Sequence, residues 1–218
     1  MVNKIDWANI DTVLLDMDGT LIDQHYEDYF WETLAPKAYA KKNKITLKKS
    51  REILFSKYHE RMGHPEWGDV NFWSKELGLD LWKIRDKAKY LIKLHPHTMR
   101  FLDFLKKHGK KVYLVTAADN KSTKYKIAHT KIGNYFDGIF TQTDIGYTKC
   151  NTMFWKKLQR KVKFNPERAL FADDREDMIK AAGEFGIRCV VLKVKYSSRK
   201  PNRNSNGLFY VRHFDEIL

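Results

Sequence analysis

The sequence predicts an α/β protein: a Rossmann-like parallel sheet core with an inserted helical cap. Three observations carry that expectation. Short apolar runs bounded by turn residues recur along the chain, helical patterns separate them, and one long aromatic-rich interval holds no such run. Buried strands that alternate with helices build a parallel sheet covered on both faces.

The first run is Thr12-Val13-Leu14-Leu15, which flows into Asp16-Met17-Asp18-Gly19-Thr20. A continuous apolar run closed by a glycine turn reads as a strand buried on both faces. Equivalent strands are expected at 111–115, 138–141, 169–172 and 189–192, with helices at 99–108, 120–131, 151–161 and 177–185. Residues 24–95 break this rhythm with helical patterning and four of the six tryptophans, Trp31, Trp67, Trp73 and Trp82. Rings at such density most simply form a core of their own. The expected division is a core of residues 1–23 and 96–218 and a helical cap of residues 24–95. An insertion directly after the first strand sits over the edge of the sheet where open α/β folds bind ligands. Residues 193–206 are polar and basic around Pro201-Asn202 and read as a loop. Residues 208–218 are expected to return as a short strand or helix.

A chain of 218 residues suits one such domain with its insertion. Cys150 and Cys189 cannot supply a disulfide framework, and no paired-cysteine spacing suggests zinc. Cys150 is expected to be a buried thiol. The N-terminal residues lack an apolar signal region, and no run approaches the roughly 18 apolar residues of a membrane span. The expectation is a soluble cytoplasmic protein with no membrane partner; the oligomeric state is left open. His25, His59, His64, His95 and His97 have no metal-ligand spacing and read as surface or boundary residues, with His95-Pro96-His97 marking the return from cap to core.

Lys and Arg number 41 against 27 Asp and Glu, a net charge of +14. Such an excess fits a nucleic-acid binder if it is clustered. Here it is spread over cap, core and tail, in runs such as 37–57 and 156–163 that read as solvated faces. The distribution argues against a nucleic-acid partner.

The chemistry gathers at the strand ends. The expected strands end in Asp16 and Asp18, in Thr116, and in Asp173 and Asp174, while Lys149 follows the third strand. In a parallel sheet these ends share one edge. Carboxylates crowded there repel unless a cation joins them, and a hard divalent ion, most naturally Mg²⁺, suits oxygen donors and phosphate. Asp16 is the candidate nucleophile and Asp18 the candidate acid and base. Thr116 and Lys149 are the candidate holders of phosphoryl oxygens.

Four motifs then line up in order. Asp-Met-Asp-Gly-Thr-Leu at 16–21, the apolar strand ending in Thr116, Gly146-Tyr147-Thr148-Lys149, and Leu170-Phe171-Ala172-Asp173-Asp174 resemble the motifs of the haloacid dehalogenase (HAD) superfamily. The resemblance implies the HAD fold and an aspartyl-phosphate on Asp16, with Asp18 as general acid and base. It also implies Mg²⁺ on Asp16, Asp18 and Asp174, with Asp173 on a water or beside the ion. Thr116, Ala117 and Lys149 would bind phosphate. A rival register pairs Asp173 with Asp177, which otherwise reads as an acid meeting a helix N-terminus. An aspartate two residues after the nucleophile favours phosphate esters over halogenated acids.

Trp7, the run from Asp11 to Leu21, Asp28-Tyr29-Phe30-Trp31, Trp73-Ser74, Leu77-Gly78-Leu79-Asp80 and Phe185-Gly186-Ile187-Arg188 are similar to bacterial GMP/IMP 5′-nucleotidases of that superfamily. Ala117-Ala118-Asp119-Asn120 and Cys150 depart from that group's pattern beside the phosphate site. The expected function is Mg²⁺-dependent hydrolysis of a small phosphorylated substrate, with GMP or IMP favoured. The alternatives are a sugar-phosphate or phosphoglycolate-type phosphatase, a phosphomutase, or a non-catalytic nucleic-acid-binding protein on the same fold.

Overall fold

The computed structural model describes residues 5–218. Its sheet has six strands: β1 (Thr12–Leu15), β2 (Lys111–Thr116), β3 (Gly138–Thr141), β4 (Ala169–Asp173), β5 (Cys189–Lys193) and β6 (Tyr210–Val211). They run parallel in the order β3-β2-β1-β4-β5-β6. Among the described residues ten α-helices accompany them: α1 (His25–Tyr29), α2 (Ala35–Asn43), α3 (Leu47–Glu60), α4 (Val70–Leu77), α5 (Leu81–Asp86), α6 (Thr98–Lys107), α7 (Asn120–Thr130), α8 (Gln142–Ile145), α9 (Thr152–Val162) and α10 (Glu176–Phe185).

Side-chain alternation along β1 divides the core in two. Val13 and Leu15 join a cluster with Phe101, Leu105 and Phe214 on one face. Leu14 joins Trp155, Leu158 and Ile179, carried by α9 and α10, on the other. Both faces are therefore covered, which is why β1 is apolar after Thr12 and buried at all four positions. Each fully buried side chain of this size contributes about 1.5–3 kcal/mol.

Helices α1 to α5 lie in the interval between β1 and β2. As expected from the density of rings, Phe30, Leu54, Val70, Trp73 and Leu77 form a separate cluster, with Trp31 and Tyr58 packed against it. Tyr58 meets Trp73 edge to face at 4.9 Å. Tyr26 instead buries its ring in the sheet-side cluster, and Tyr29 packs against that cluster. The chain leaves and re-enters the core at one seam. Asp23 N donates to Lys93 O at 2.8 Å and His95 N to Leu21 O at 2.9 Å, while Ile22 bridges Leu94.

Residues 194–206 form the loop expected of that segment, with Lys193 ending β5 and Arg203 N donating back to Val194 O. Two expectations need correcting. His95 is buried, with Nε2 3.0 Å from Tyr196 O, because the return strand runs beneath that segment. Cys150 is exposed, its Sγ 3.0 Å from Thr148 Oγ1 on the turn before α9. The C-terminal return, expected as a short strand or helix, holds a short strand, β6, followed by a 3₁₀ turn at Phe214–Ile217. Among the described residues no helix is long and apolar enough to cross a membrane.

Candidate active site

Register places the reactive residues together. Leu15 pairs with Leu114 on one side and Ala172 on the other, and Asp16 N donates to Ala172 O at 3.0 Å. Thr116 ends β2, and Asp173 and Asp174 lie at and just beyond the end of β4. All of these, with Asp18, Ala117 and Lys149, line one cleft of about 930 Å³. Its far wall comes from the insertion, through Trp31, Phe55, Tyr58, Met62 and Trp67.

Asp16, Asp173 and Asp174 are buried, and a carboxylate oxygen from each lies within 4.8 Å of the others. Lys149 neutralises part of that charge. Its Nζ donates to Asp173 Oδ2 at 2.6 Å, to Asp16 Oδ1 at 2.5 Å and to Val115 O at 3.1 Å. Two further contacts lock its backbone: Lys149 N donates to Gln142 Oε1, and Lys149 O accepts from Trp155 Nε1. Asp173 Oδ1 accepts from Arg175 N at 2.9 Å, and Asp174 Oδ2 accepts from Arg203 Nη2 at 2.8 Å.

Electrostatics follow the crowding. Burial holds Asp16 well above the usual carboxylate range; Lys149 opposes that shift, and Asp173 and Asp174 reinforce it. Burial, and then the charge of Asp173, push Asp174 up to about 7 against the pull of Arg203. Three buried carboxylates this close together are a donor set suited to a hard divalent cation. Asp177 stands outside the cluster. It sits in the first turn of α10 with its carboxylate on Arg175 at 3.0 and 2.6 Å, in keeping with the helix-terminus reading.

The turn that follows Asp16 and Asp18 is shaped by Gly19. Its φ is +83°, and a Cβ there would lie 2.7 Å from Asp174 Cγ, so only glycine lets the turn close against β4. Thr116 is buried with Oγ1 accepting from Ala118 N at 3.1 Å. Ala117 carries the close approach of the insertion: a Cβ on Gly68 would lie 2.4 Å from Ala117 O. Asp119 caps α7 by accepting from Ser122 N at 2.8 Å and also accepts from Val70 N of α4 at 3.2 Å.

Four charged residues beside the site escaped sequence reasoning: Glu27, Arg85, Lys126 and Arg203. Lys126 Nζ lies 2.5 Å from Asp18 Oδ2 and 2.5 Å from Glu27 Oε1. Arg85 bonds to Glu27 and donates to Tyr26 Oη at 3.0 Å and Ser122 Oγ at 3.2 Å. Burial alone would raise Glu27, yet Arg85 and Lys126 hold it down to about 2. The sequence signal was faint but present: Lys126 follows Ser122 and Thr123 at helical spacing on the buried face of α7, and Arg85 follows Leu81 in the same way.

A family model for haloacid dehalogenase-like hydrolases matches residues 10–186. The GMP/IMP nucleotidase YrfG of Escherichia coli is 35% identical over 185 residues, 85% of this chain and 83% of its own. The glyceraldehyde 3-phosphate phosphatase of Methanocaldococcus jannaschii is 29% identical over 53% of this chain and 52% of its own. Among solved structures, the HAD phosphatase from Thermococcus onnurineus superposes with a TM-score of 0.80 at 22% identity, over 95% of each chain.

Proposed function

The chain belongs to the haloacid dehalogenase-like hydrolase family as a phosphatase-type enzyme, and from that premise we propose that it hydrolyses purine 5′-nucleotides, GMP and IMP first. The reaction runs through phospho-Asp16 with Mg²⁺ as cofactor, and residues 24–95 act as the cap. The observation that carries the reading is the pairing of Asp16, held by Lys149, with an Asp18 whose Oδ1 is buried without a hydrogen-bond partner among the described residues. An unpartnered buried oxygen is costly at rest, which suits an atom that handles a proton during turnover.

An oxygen of Asp16 bonds to phosphorus while the bond to the leaving oxygen breaks. The departing electron pair takes a proton from Asp18 Oδ1, releasing the alcohol. In the second half, Asp18 accepts a proton from water as that water attacks phospho-Asp16, which frees phosphate and restores both carboxyl groups. Thr116, the Ala117 backbone and Lys149 hold the phosphoryl oxygens. Lys149 exchanges part of its present bonding for them, since its three donors are already used. The residues that would hold Mg²⁺ are the Asp16 and Asp174 carboxylates and the Asp18 peptide oxygen, with Asp173 beside them. When bound, the ion neutralises the crowded carboxylates and the phosphoryl charge.

The substrate class rests on the 35% identity to a GMP/IMP nucleotidase over most of both chains, and on the aromatic wall of Trp31, Phe55, Tyr58 and Trp67 in the cleft. Flat rings bind flat bases by stacking, worth about 1–3 kcal/mol each. A panel measuring phosphate release from nucleoside monophosphates, sugar phosphates and phosphoglycolate tests it. GMP and IMP should lead in kcat/KM; a lead for sugar phosphates or phosphoglycolate removes the nucleotidase reading and leaves the phosphatase. Mutase product without phosphate release, or RNA retardation without any turnover, would remove both.

A further inference from the structure

The geometry points to Lys126 as a positioning residue that fixes which oxygen of Asp18 exchanges the proton. The inference rests on the proposed role of Asp18 as acid and base.

The observations concern four buried side chains. Lys126 is 1% exposed and Arg85 2%, on helices from different parts of the chain. Lys126 touches Asp18 and Glu27 at 2.5 Å each, and Arg85 bonds the same Glu27 oxygen. Two carboxylates and two cations thus form a quartet of zero net formal charge. Buried ion pairs of this kind add little net stability compared with an apolar replacement, because desolvation offsets their attraction. A quartet beside the reactive centre therefore calls for a reason other than stability.

Its effect on Asp18 supplies one. Lys126 occupies Oδ2, and no described residue occupies Oδ1. An ammonium has donors only, so a proton on the carboxyl group cannot reside on the oxygen that faces it. The acidic proton is confined to Oδ1, and the carboxyl cannot present the wrong oxygen by rotating without breaking the ion pair. Lys126 itself is held from behind by Glu27, which Arg85 and Trp31 Nε1 hold in turn, the latter at 2.9 Å. Glu27 and Arg85 belong to α1 and α5 of the insertion, so the aim of Asp18 depends on how that insertion sits on α7. Lys126 touches neither the proposed nucleophile nor any of the three clustered carboxylates.

This role has a kinetic signature that structural support lacks. Alkyl phosphates expel a poor leaving group and need the proton from Asp18; p-nitrophenyl phosphate expels a stabilised phenolate and does not. Hydrolysis of phospho-Asp16 needs Asp18 with either substrate, so the first half-reaction is read alone, in single turnover. Lys126→Met should slow alcohol release from the best alkyl phosphomonoester by roughly two to three powers of ten. Substrate affinity should stay within about threefold, and release of p-nitrophenolate should slow less than about tenfold. Glu27→Gln serves as the comparison, since it breaks the same quartet but leaves the contact between Lys126 and Asp18; it should lose stability while keeping the ratio of the two rates nearer to wild type. An equal fall in the first half-reaction on both substrates, or weaker substrate binding alone, would overturn the assignment. Lys126→Gln repeats the measurement if the methionine variant does not fold, and failure of both to fold makes Lys126 a folding residue and ends the proposal. Asp16→Asn separates the parent reading: it must abolish turnover of both substrates, and activity retained there defeats the covalent mechanism whatever Lys126 does.

Discussion

A methyl group on Gly19 would meet the Asp174 carboxyl at a backbone angle that side chains rarely adopt. Gly19→Ala should therefore cost about 1–3 kcal/mol of stability and weaken Mg²⁺ binding at least tenfold. Denaturant unfolding and calorimetric titration with the metal would report both effects. His95 offers a test by acidity. Burial, and next the charge of Lys193, hold its ring down to about 4, with Asp23 and His213 the other titratable groups facing it. An unfolded histidine takes up its proton near pH 6.5, so the unfolded state binds more protons between those values. Stability should fall as pH drops through that window, by about 2 kcal/mol between pH 7 and pH 5 for this residue alone. His95→Gln should flatten the slope in urea titrations at the two pH values. The motif aspartates were readable because each sits in a short local pattern next to a strand. Lys126 and Arg85 were legible only faintly, by helical spacing, because their meaning lies in partners 108 and 58 residues away. No periodicity announces such a pairing.

Elements were legible in proportion to how strongly burial dictated their composition. The central strands were plain because both faces are covered, so their runs are apolar without interruption. β6 has two residues and a half-exposed tyrosine, which gives no pattern to read. The segment before it is the loop its polar composition suggests, but composition does not announce that Arg203 reaches back to Asp174 and stacks over Tyr196 at 4.0 Å. The start of α7 has a direct test. Asp119 satisfies two backbone donors, one in its own helix and one at the start of α4. Asp119→Ala should lose about 1–2 kcal/mol, measured by chemical unfolding, and Asp119→Asn should recover most of it. If alanine costs nothing, the cap is not holding the insertion to the core.

Across the whole molecule, the charge of +14 coexists with an acidic centre. The buried quartet is neutral, so the excess resides in outward lysines such as Lys37, Lys41, Lys48 and Lys49 along α2 and α3. Long-range attraction of a dianionic substrate is screened beyond about 10 Å at 0.1 M salt. For an enzyme limited partly by encounter, kcat/KM should drop roughly severalfold between 0.05 and 0.5 M salt while kcat holds. Equal loss in both constants would assign the salt effect to the chemistry or to stability.

The seam at Leu21 to Asp23 and Lys93 to His95 has a further consequence. To the sheet, everything between those two strands is one loop whose ends are already pinned side by side. Closure entropy grows only logarithmically, about 0.6 kcal/mol for each doubling of loop length. The core is therefore nearly indifferent to how much chain is spliced in at that point. What an exchanged insertion must reproduce includes Tyr26 for the sheet, Glu27 and Arg85 for Lys126, the Val70 N–H for Asp119, and a glycine at the position of Gly68. A graft that keeps those five contacts can change the rings facing the cleft, and with them the choice of substrate, while the reactive edge stays as it is.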